Sequence, residues 1–241
     1  MAPDGSRLAA ARELRGDEVG RYARRILQAA ALVVALFLAL ALAGRVARPL
    51  STLMLWRYAT GQPVKREWTS LERMSPFLMR AVIASEDAQF CRHDGVDWQA
   101  VGDVLEQSDE DGPSRGASTI PMQVARNLFL WQGRSYVRKG LEIPIAMTLS
   151  ALWPKRRMLE VYLNIAEWGP GGIFGAQAAA RAYFGTPAAA LDPREAALLA
   201  SALPNPLRRN PGRPSALHLR LAQRLAGKAA SPGLPLDCLA R

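Results

Sequence analysis

Nineteen consecutive residues near the N-terminus, 26–44, carry no charge, and Gln28 is the only strongly polar side chain among them. At a rise of roughly 1.5 Å per residue, a helix of this length spans nearly the ~30 Å hydrocarbon core of a bilayer. A buried helix of a soluble protein rarely runs so long without a charged face. The run therefore predicts one transmembrane helix over residues 26–44.

Arginines are more numerous before this run than after it. Because Lys and Arg beside a membrane span tend to stay in the cytoplasm, residues 1–25 are expected to be cytoplasmic and the rest of the chain to be exported. Residues 41–43, Ala-Leu-Ala, have the small-x-small form of a cleavage site, so a cleaved signal peptide is the alternative. Both interpretations export the remaining chain. The flanking arginines are Arg7, Arg12, Arg15, Arg21, Arg24 and Arg25 on one side and Arg45, Arg48 and Arg57 on the other.

The composition excludes several classes of protein. Of the 241 residues 49% are hydrophobic, which is enough for a sizeable core and too many for a disordered chain. Two Cys are too few for a disulfide scaffold, and the two Cys and two His do not have the spacing of a zinc site. Cys91 and Cys238 are expected to be free thiols. The formal charge of +10 indicates an anionic partner, either nucleic acid, a membrane surface or a phosphorylated substrate.

The exported part has the apolar spacing that is typical of helices, and alternating strand patterns are nearly absent. Apolar residues at three- and four-residue spacing predict helices over 79–86, 98–105, 121–130, 137–152, 156–165, 176–184 and 194–202. The last of these helices is expected to begin with a capping box. Asp192 is its N-cap, Pro193 its first residue, and Glu195 the third-position partner of the cap. We therefore expect a mainly α domain over 71–212, a connector over 45–70, and a basic C-terminal helix with a tail over 213–241.

Glu86 is the leading candidate for acid–base chemistry. It follows the apolar run 81–84, so it is expected at the end of a buried helix that faces an irregular loop. A carboxylate there, beside Asp87 and above an apolar floor, is a candidate for a raised pKa and for general-base work. A capping or salt-bridged surface acid is the competing interpretation.

Two further clusters suit anions. Small residues and hydroxyls at 116–119 open a helix whose free N–H groups favour a phosphate, and Gln123 and Arg126 share a face of that helix. Arg134, followed by Arg138, Lys139 and Glu142, places cations and a carboxylate within a short stretch. An ordinary Ser/Thr cap and a solvated charged helix face are the alternatives.

Taken in order, these clusters resemble the five motifs of the peptidoglycan glycosyltransferases, the lysozyme-like polymerases of lipid II. The resemblance covers about residues 70–210, and the absence of any Ser-x-x-Lys or Lys-Thr-Gly pattern points to the monofunctional, membrane-anchored branch. The matching motifs are Glu86-Asp-x-x-Phe90-x-x-His93-x-Gly95-x-Asp97, Gly116-Ala-Ser-Thr119-Ile120-x-x-Gln123-x-x-Arg126-Asn127-Leu128, Arg138-Lys139-x-x-Glu142, Glu160-x-Tyr162-Leu163-Asn164 and Glu195-Ala-Ala-Leu-Leu-Ala200.

The resemblance implies a lysozyme-like helical fold and an inverting transfer of the glycan from undecaprenyl diphosphate to the 4-hydroxyl of a lipid II sugar. It implies that Glu86 is the catalytic base and that Glu142 is a second essential carboxylate near the diphosphate or its metal. The residues implied to bind diphosphate are Ser118, Thr119, Gln123, Arg126, Arg134, Arg138 and Lys139. Those implied to support the motifs are Asp87, Phe90, His93, Gly95, Asn127, Glu160, Tyr162 and Asn164.

The chain departs from the family pattern at Pro121 and Met122, where a small polar residue and Gln are common, and at Arg126, where Lys is usual. A non-catalytic lipid II-binding or scaffold homologue, or a lysozyme-like glycan-cleaving enzyme, is therefore the alternative. The acidic run Glu106, Asp109, Glu110 and Asp111 is expected to lie in a solvated loop.

The resemblance also sets expectations for cofactors, partners and location. A divalent cation such as Mg²⁺ could help to neutralise the diphosphates, although no dedicated ligand cage is visible, and no organic cofactor is expected. The expected partners are lipid II, the nascent glycan, the membrane and other cell-wall synthesis or division proteins. Nucleic acid is excluded because the basic residues are spread along an exported domain. The expected location is the inner (plasma) membrane, with a single span and the catalytic domain outside.

Overall fold

The computed structural model describes residues 5–106, 118–133 and 135–240, with side chains described from residue 20 onward except that of Leu105. The chain divides into two units, one ending at Val46 and the other beginning at Ala47. The described part of the first unit is one helix, α1 (Gly5–Gly44). Its segment Gly20–Gly44 contains an 18-residue window with a mean hydropathy of 2.6 and is long enough to cross a bilayer, although signal sequences share both properties.

The second unit is mainly α-helical, as the periodicity predicted. All seven predicted helices are present, and their ends differ from the predicted ones by at most three residues. The capping box of Asp192 and Glu195 is also present. The helices are α2 (Thr52–Ala59), α3 (Pro76–Glu86), α4 (Trp98–Glu106), α5 (Ile120–Phe129), α6 (Tyr136–Leu152), α7 (Lys155–Ile165), α8 (Ala176–Phe184), α9 (Pro193–Ala202) and α10 (Ala216–Ala230).

Helix α7 lies at the centre of the packing around the candidate site. Every residue from Met158 to Ile165 except Glu160 is buried. Helix α5 packs against α6 and α7, while α3 packs against α9 and α10. Most of the buried residues of α9 are alanines, and small side chains allow helix backbones to approach closely.

The second unit also contains a small three-stranded sheet that the sequence did not predict. It consists of β1 (Lys65–Arg66), β2 (Glu167–Gly169) and β3 (Ile173–Phe174), in the order β1-β3-β2. Strand β3 pairs in parallel with β1 and antiparallel with β2. Strands of two or three residues are too short to show an alternating pattern, so the sequence carries no signal for them.

Residues 47–70, which make up most of the expected connector, are built into the second unit. Met54 of α2 is fully buried, and the Thr52 hydroxyl donates to the carbonyl of Leu130 at 2.7 Å, at the end of α5. The side chain of Asn164 exchanges two hydrogen bonds with the backbone of Thr69, both at 2.9 Å. Gly61 lies in the turn that follows α2.

The prediction of two free thiols is wrong, because Cys91 and Cys238 form a disulfide. Their Cα atoms lie 5.4 Å apart although the residues are 147 apart in sequence. A separation of that length gives no pairing signal, and only the tertiary fold brings the C-terminal tail to the loop after α3. The tail is also held by Arg156, whose guanidinium donates to the carbonyl of Leu239.

Gly172 should be essential to the pairing of β1 with β3. Its φ is +75°, and a Cβ at this position would overlap the carbonyl of Pro63, just before β1. We expect Gly172→Ala to lower the free energy of unfolding by about 1–3 kcal/mol, measured by denaturant titration of the far-ultraviolet circular dichroism in detergent. Gly227→Ala is the matched control, since that helical site has open space around it and alanine should stabilise it by about 0.5–1 kcal/mol. A Gly172→Ala protein as stable as the wild type would contradict this account of the sheet.

Candidate active site

Glu86 is the last residue of α3, and side chains of α3 and α5 hold its carboxylate. One oxygen accepts a hydrogen bond from the side-chain amide of Gln123 at 2.9 Å, and the other accepts one from the hydroxyl of Ser85 at 3.0 Å. The hydroxyl of Tyr162, on α7, donates to the amide oxygen of Gln123 at 3.1 Å. A polar relay therefore runs from α7 through α5 to the end of α3.

The surroundings of Glu86 favour a proton acceptor. Burial raises the pKa of this carboxyl group above its usual value, while the hydrogen bonds from Gln123 and Ser85 and the charge of Arg126 oppose that rise. Burial and the neighbouring charge of Glu86 also raise the pKa of Tyr162, so its hydroxyl stays protonated as a donor. A carboxylate with a raised pKa is a stronger base than an exposed one.

Asp87 has a different environment from its neighbour. It is 7% exposed, and its two oxygens accept hydrogen bonds from His93 Nε2 at 2.9 and 3.0 Å and from the backbone N–H of Ile120 at 2.9 Å. The other ring nitrogen of His93 accepts the N–H of Gly95 at 3.2 Å, which assigns the proton of a neutral ring to Nε2. Asp87 thus fixes the first residue of α5 and holds the loop that follows α3.

Thr119 and Gly95 join the same loop to α5 and α6. The Thr119 hydroxyl donates to the carbonyl of Gly95 at 2.6 Å and accepts the N–H of Met122 at 3.3 Å as the N-cap of α5. Gly95 has a φ of +108°, and a Cβ there would lie 2.9 Å from the carbonyl oxygen of Ala146 on α6. Thr119, expected to bind diphosphate, is buried and bonded within the protein.

A cationic cluster lies around Glu142, which is only 2% exposed. Arg138 and Lys139 both donate to its carboxylate, Lys139 at 2.8 Å. Lys139 also donates to the hydroxyl of Ser118 at 2.6 Å. Burial, followed by the charges of Arg126 and Arg138, lowers the pKa of Lys139 to about 8. Two cations thus share one carboxylate, with the charge of Arg126 nearby, which leaves an excess of positive charge.

A cleft of about 210 Å³ lies beside the face of α5 that carries Gln123 and Arg126. Gln123, Arg126, Asn127 and Tyr162 contribute to its lining. The Nε of Arg126 is buried without a hydrogen-bond partner, and an anion in the cleft would offer its guanidinium an acceptor. The arrangement therefore combines a base, a cleft and cations that suit a diphosphate.

Comparison with known proteins agrees with this geometry. The model of the transglycosylase family matches residues 54–229. The chain belongs to this family. Three relatives carry the name biosynthetic peptidoglycan transglycosylase. The relative from Brucella suis biovar 1 is 53% identical over 80% of this chain and 85% of its own length. The relative from Rhodopseudomonas palustris strain HaA2 is 51% identical over 88% of this chain and 95% of its own length. The relative from Agrobacterium fabrum is 50% identical over 80% of this chain and 84% of its own length. The family resemblance expected from the motifs is confirmed.

The other expected site residues of this transglycosylase support the framework. Phe90 is fully buried, and Glu160 and Asn164 bond the backbone of Leu71 and Thr69, ahead of α3. Asn127 reaches the cleft. Arg134 lies outside the described residues, as do Asp109, Glu110 and Asp111 of the acidic run.

The two departures from the family pattern at Pro121 and Met122 lie in the core. Both side chains are buried, and Met122 is 1% exposed. The amide that the family commonly carries at the second position would therefore meet the interior of this protein rather than the cleft.

Lys155 is a site residue that the sequence analysis did not select. Its ammonium donates to the carbonyls of Phe90 at 2.6 Å and His93 at 2.5 Å, and it lies 4.7 Å from the centre of the Phe90 ring. Lys155 belongs to a run of three cations, Lys155-Arg156-Arg157, and only the tertiary fold shows which of them meets the loop.

The described residues of the transglycosylase site do not form a protein ligand set for a divalent cation. Among the described residues no three His, Cys, Asp or Glu side chains come together. Asp87 is occupied by His93 and Ile120, and Glu142 by Arg138 and Lys139. The described carboxylates therefore do not fit a dedicated metal centre.

Lys139 should titrate near pH 8. We expect the pH dependence of its acetylation rate, followed by mass spectrometry of the labelled peptide, to have a midpoint near pH 8. Arg126→Gln should raise that midpoint, because the removal of a neighbouring positive charge makes protonation of the lysine easier. A midpoint unchanged by Arg126→Gln would show that Arg126 does not act on Lys139.

Proposed function

We propose that this transglycosylase polymerises lipid II into glycan strands at the outer face of the membrane. The relatives' shared name points to peptidoglycan as the product. The main support for the proposal is the position of Glu86, a carboxylate with a raised pKa that is held by Gln123 beside Arg126. The charge of Arg126 also acts on Arg138 and Lys139.

In the proposed reaction, Glu86 accepts the proton of the 4-hydroxyl of one lipid II sugar. The oxygen of that hydroxyl forms a bond to the anomeric carbon of the growing chain, and the bond from that carbon to the diphosphate oxygen breaks. Attack opposite the leaving group inverts the anomeric centre. Undecaprenyl diphosphate leaves as an anion, and the proton remains on Glu86 until solvent removes it.

The cations are assigned to the charge that develops on the leaving diphosphate. Arg126 faces the cleft, and Arg138 and Lys139 are held in place by their bonds to Glu142. Prearranged charges of this kind stabilise a transition state without reorganising as it forms. Glu142 acts through the cations that it orients, and Ser118 does so through its bond with Lys139. A divalent cation, if one takes part, would neutralise the diphosphate, and we assign no step to it.

The proposed location is the inner membrane, with α1 as a single-span anchor and the N-terminus in the cytoplasm. The excess of arginines before the span supports this orientation. The Cys91–Cys238 disulfide supports export of the catalytic unit, because disulfides persist in oxidising compartments. Other cell-wall synthesis or division proteins are proposed as partners of the enzyme.

Glu86→Gln tests the proposed base, since glutamine keeps the shape of the side chain but cannot accept the proton. We expect kcat for polymerisation of lipid II in detergent to fall by about 10²–10⁴-fold, with lipid II binding retained. Glu67→Gln is the matched control, because Glu67 is an exposed acid paired with Arg181 on the surface.

Three results would overturn the assignment. Full activity of the Glu86→Gln protein would exclude this base. Binding of lipid II by wild-type protein that makes no glycan would favour a scaffold. Release of soluble sugars from finished peptidoglycan would favour a lysozyme-like enzyme.

The dependence of kcat/KM on pH should be bell-shaped. The acid limb should lie above the usual range of a glutamate, because the base form of Glu86 is lost as pH falls through its raised pKa. The alkaline limb should lie near pH 8, where Lys139 loses its charge. Lys139→Arg should remove the alkaline limb, since arginine stays charged over this range. An alkaline limb that persists in Lys139→Arg would exclude Lys139 as its source.

A further inference from the structure

We propose that the Cys91–Cys238 disulfide, together with Lys155, positions Glu86 for catalysis. This inference rests on the proposed function and adds to it a set of positioning residues remote from the cleft. Its basis is the way in which the loop at 87–97 is attached to the rest of the protein.

The loop at 87–97 has no regular secondary structure to hold it. Two turn bonds lie within it, from Phe90 N–H to the carbonyl of Asp87 at 3.0 Å and from Arg92 N–H to that of Gln89 at 2.7 Å. Most of its side chains from Ala88 to Asp94 are at least partly exposed. Its conformation must therefore depend on attachments to other elements.

Both proposed attachments converge on the start of α7. Lys155 binds the carbonyls of Phe90 and His93 from one side. The next residue, Arg156, binds the carbonyl of Leu239 and the carboxylate of Glu72, the latter at 2.7 Å. Since Leu239 follows Cys238, the tail is fixed to α7 and the disulfide then fixes Cys91 to the tail.

The loop is linked to Glu86 through Asp87 and α5. Cys91 lies between Phe90 and His93, and His93 is bonded to Asp87. Asp87 also holds the first N–H of α5, and Gln123 on that helix donates to Glu86. Release of the loop should therefore loosen the start of α5 and weaken the bond from Gln123 to Glu86.

The test compares oxidised full-length protein in detergent with the same protein reduced by a phosphine and with the double variant Cys91→Ser/Cys238→Ser. Assays run well below the unfolding temperature of every form. We expect kcat for lipid II polymerisation to fall about tenfold in both disulfide-free forms, with KM changed by less than about twofold, because misplacement of a catalytic group affects the chemical step.

The pH profile supplies a readout that loss of stability alone would not move. Glu86 is faced by Gln123 and Arg126 from α5, by Tyr162 from α7, and by Asp87 and Ser85 on its own segment. The hydrogen bond from Gln123 favours the ionised carboxylate. Weakening that bond should shift the acid limb of kcat/KM to higher pH in both disulfide-free forms.

Two controls separate positioning from other effects. The phosphine should cause no further loss in the double serine variant, which has no disulfide to reduce. With the disulfide intact, Lys155→Met should lower kcat in the same way, and Lys155→Arg should retain more activity because arginine can still donate to both carbonyls.

The chain has only two histidines, which provides a readout without catalysis. Nitrogen-15 spectra should show that reduction changes the His93 ring signals, whereas those of His218, bonded to Leu198 and Ser201, stay in place. Absence of glycan from the oxidised wild type would count against the proposed function, and the His93 signals would still test the attachment. Unchanged kcat, acid limb and His93 signals after reduction, with only a lower unfolding temperature, would overturn the inference.

Discussion

The bonding of one buried carboxylate, Asp87, is the interaction on which the site depends. A buried charge without partners costs several kcal/mol, so Asp87 must keep the donors that surround it. Those donors are the ring of His93 and the first N–H of α5, where the helix dipole also favours a negative charge. By satisfying Asp87, the fold sets the start of α5 and so places Gln123, three residues later, against Glu86.

Two adjacent acids thereby acquire different tasks. Asp87 accepts hydrogen bonds from a ring and a backbone N–H, whereas Glu86 accepts them from two side chains and lies in an environment that raises its pKa. Glu142 organises the site as Asp87 does, because it is buried between Arg138 and Lys139 and holds these two cations in place. In each case burial makes the partners obligatory, and the partners then decide whether a carboxylate organises the site or is available to accept a proton.

Local features of the chain were predictable because their causes lie within a few residues. The helices from α3 to α9 follow from apolar spacing, and the start of α9 follows from the capping pattern at Asp192 and Glu195. The position of Glu86 at a helix end could be predicted for the same reason. The short strands, the packed role of 47–70 and the Cys91–Cys238 bond could not, because each depends on residues distant in sequence.

The sequence by itself determined the apolar N-terminal helix, the mainly helical catalytic unit and the family, since hydrophobic periodicity and ordered motifs are properties of the chain alone. Only the tertiary structure decided what each polar side chain does. Thr119 caps α5 inside the protein, the side chain of Met122 packs in the core, and Lys155 binds a carbonyl of the loop that carries His93. The physical reason is that a hydrogen bond or an ion pair needs two groups within about 3 Å, and only folding brings groups from distant segments that close.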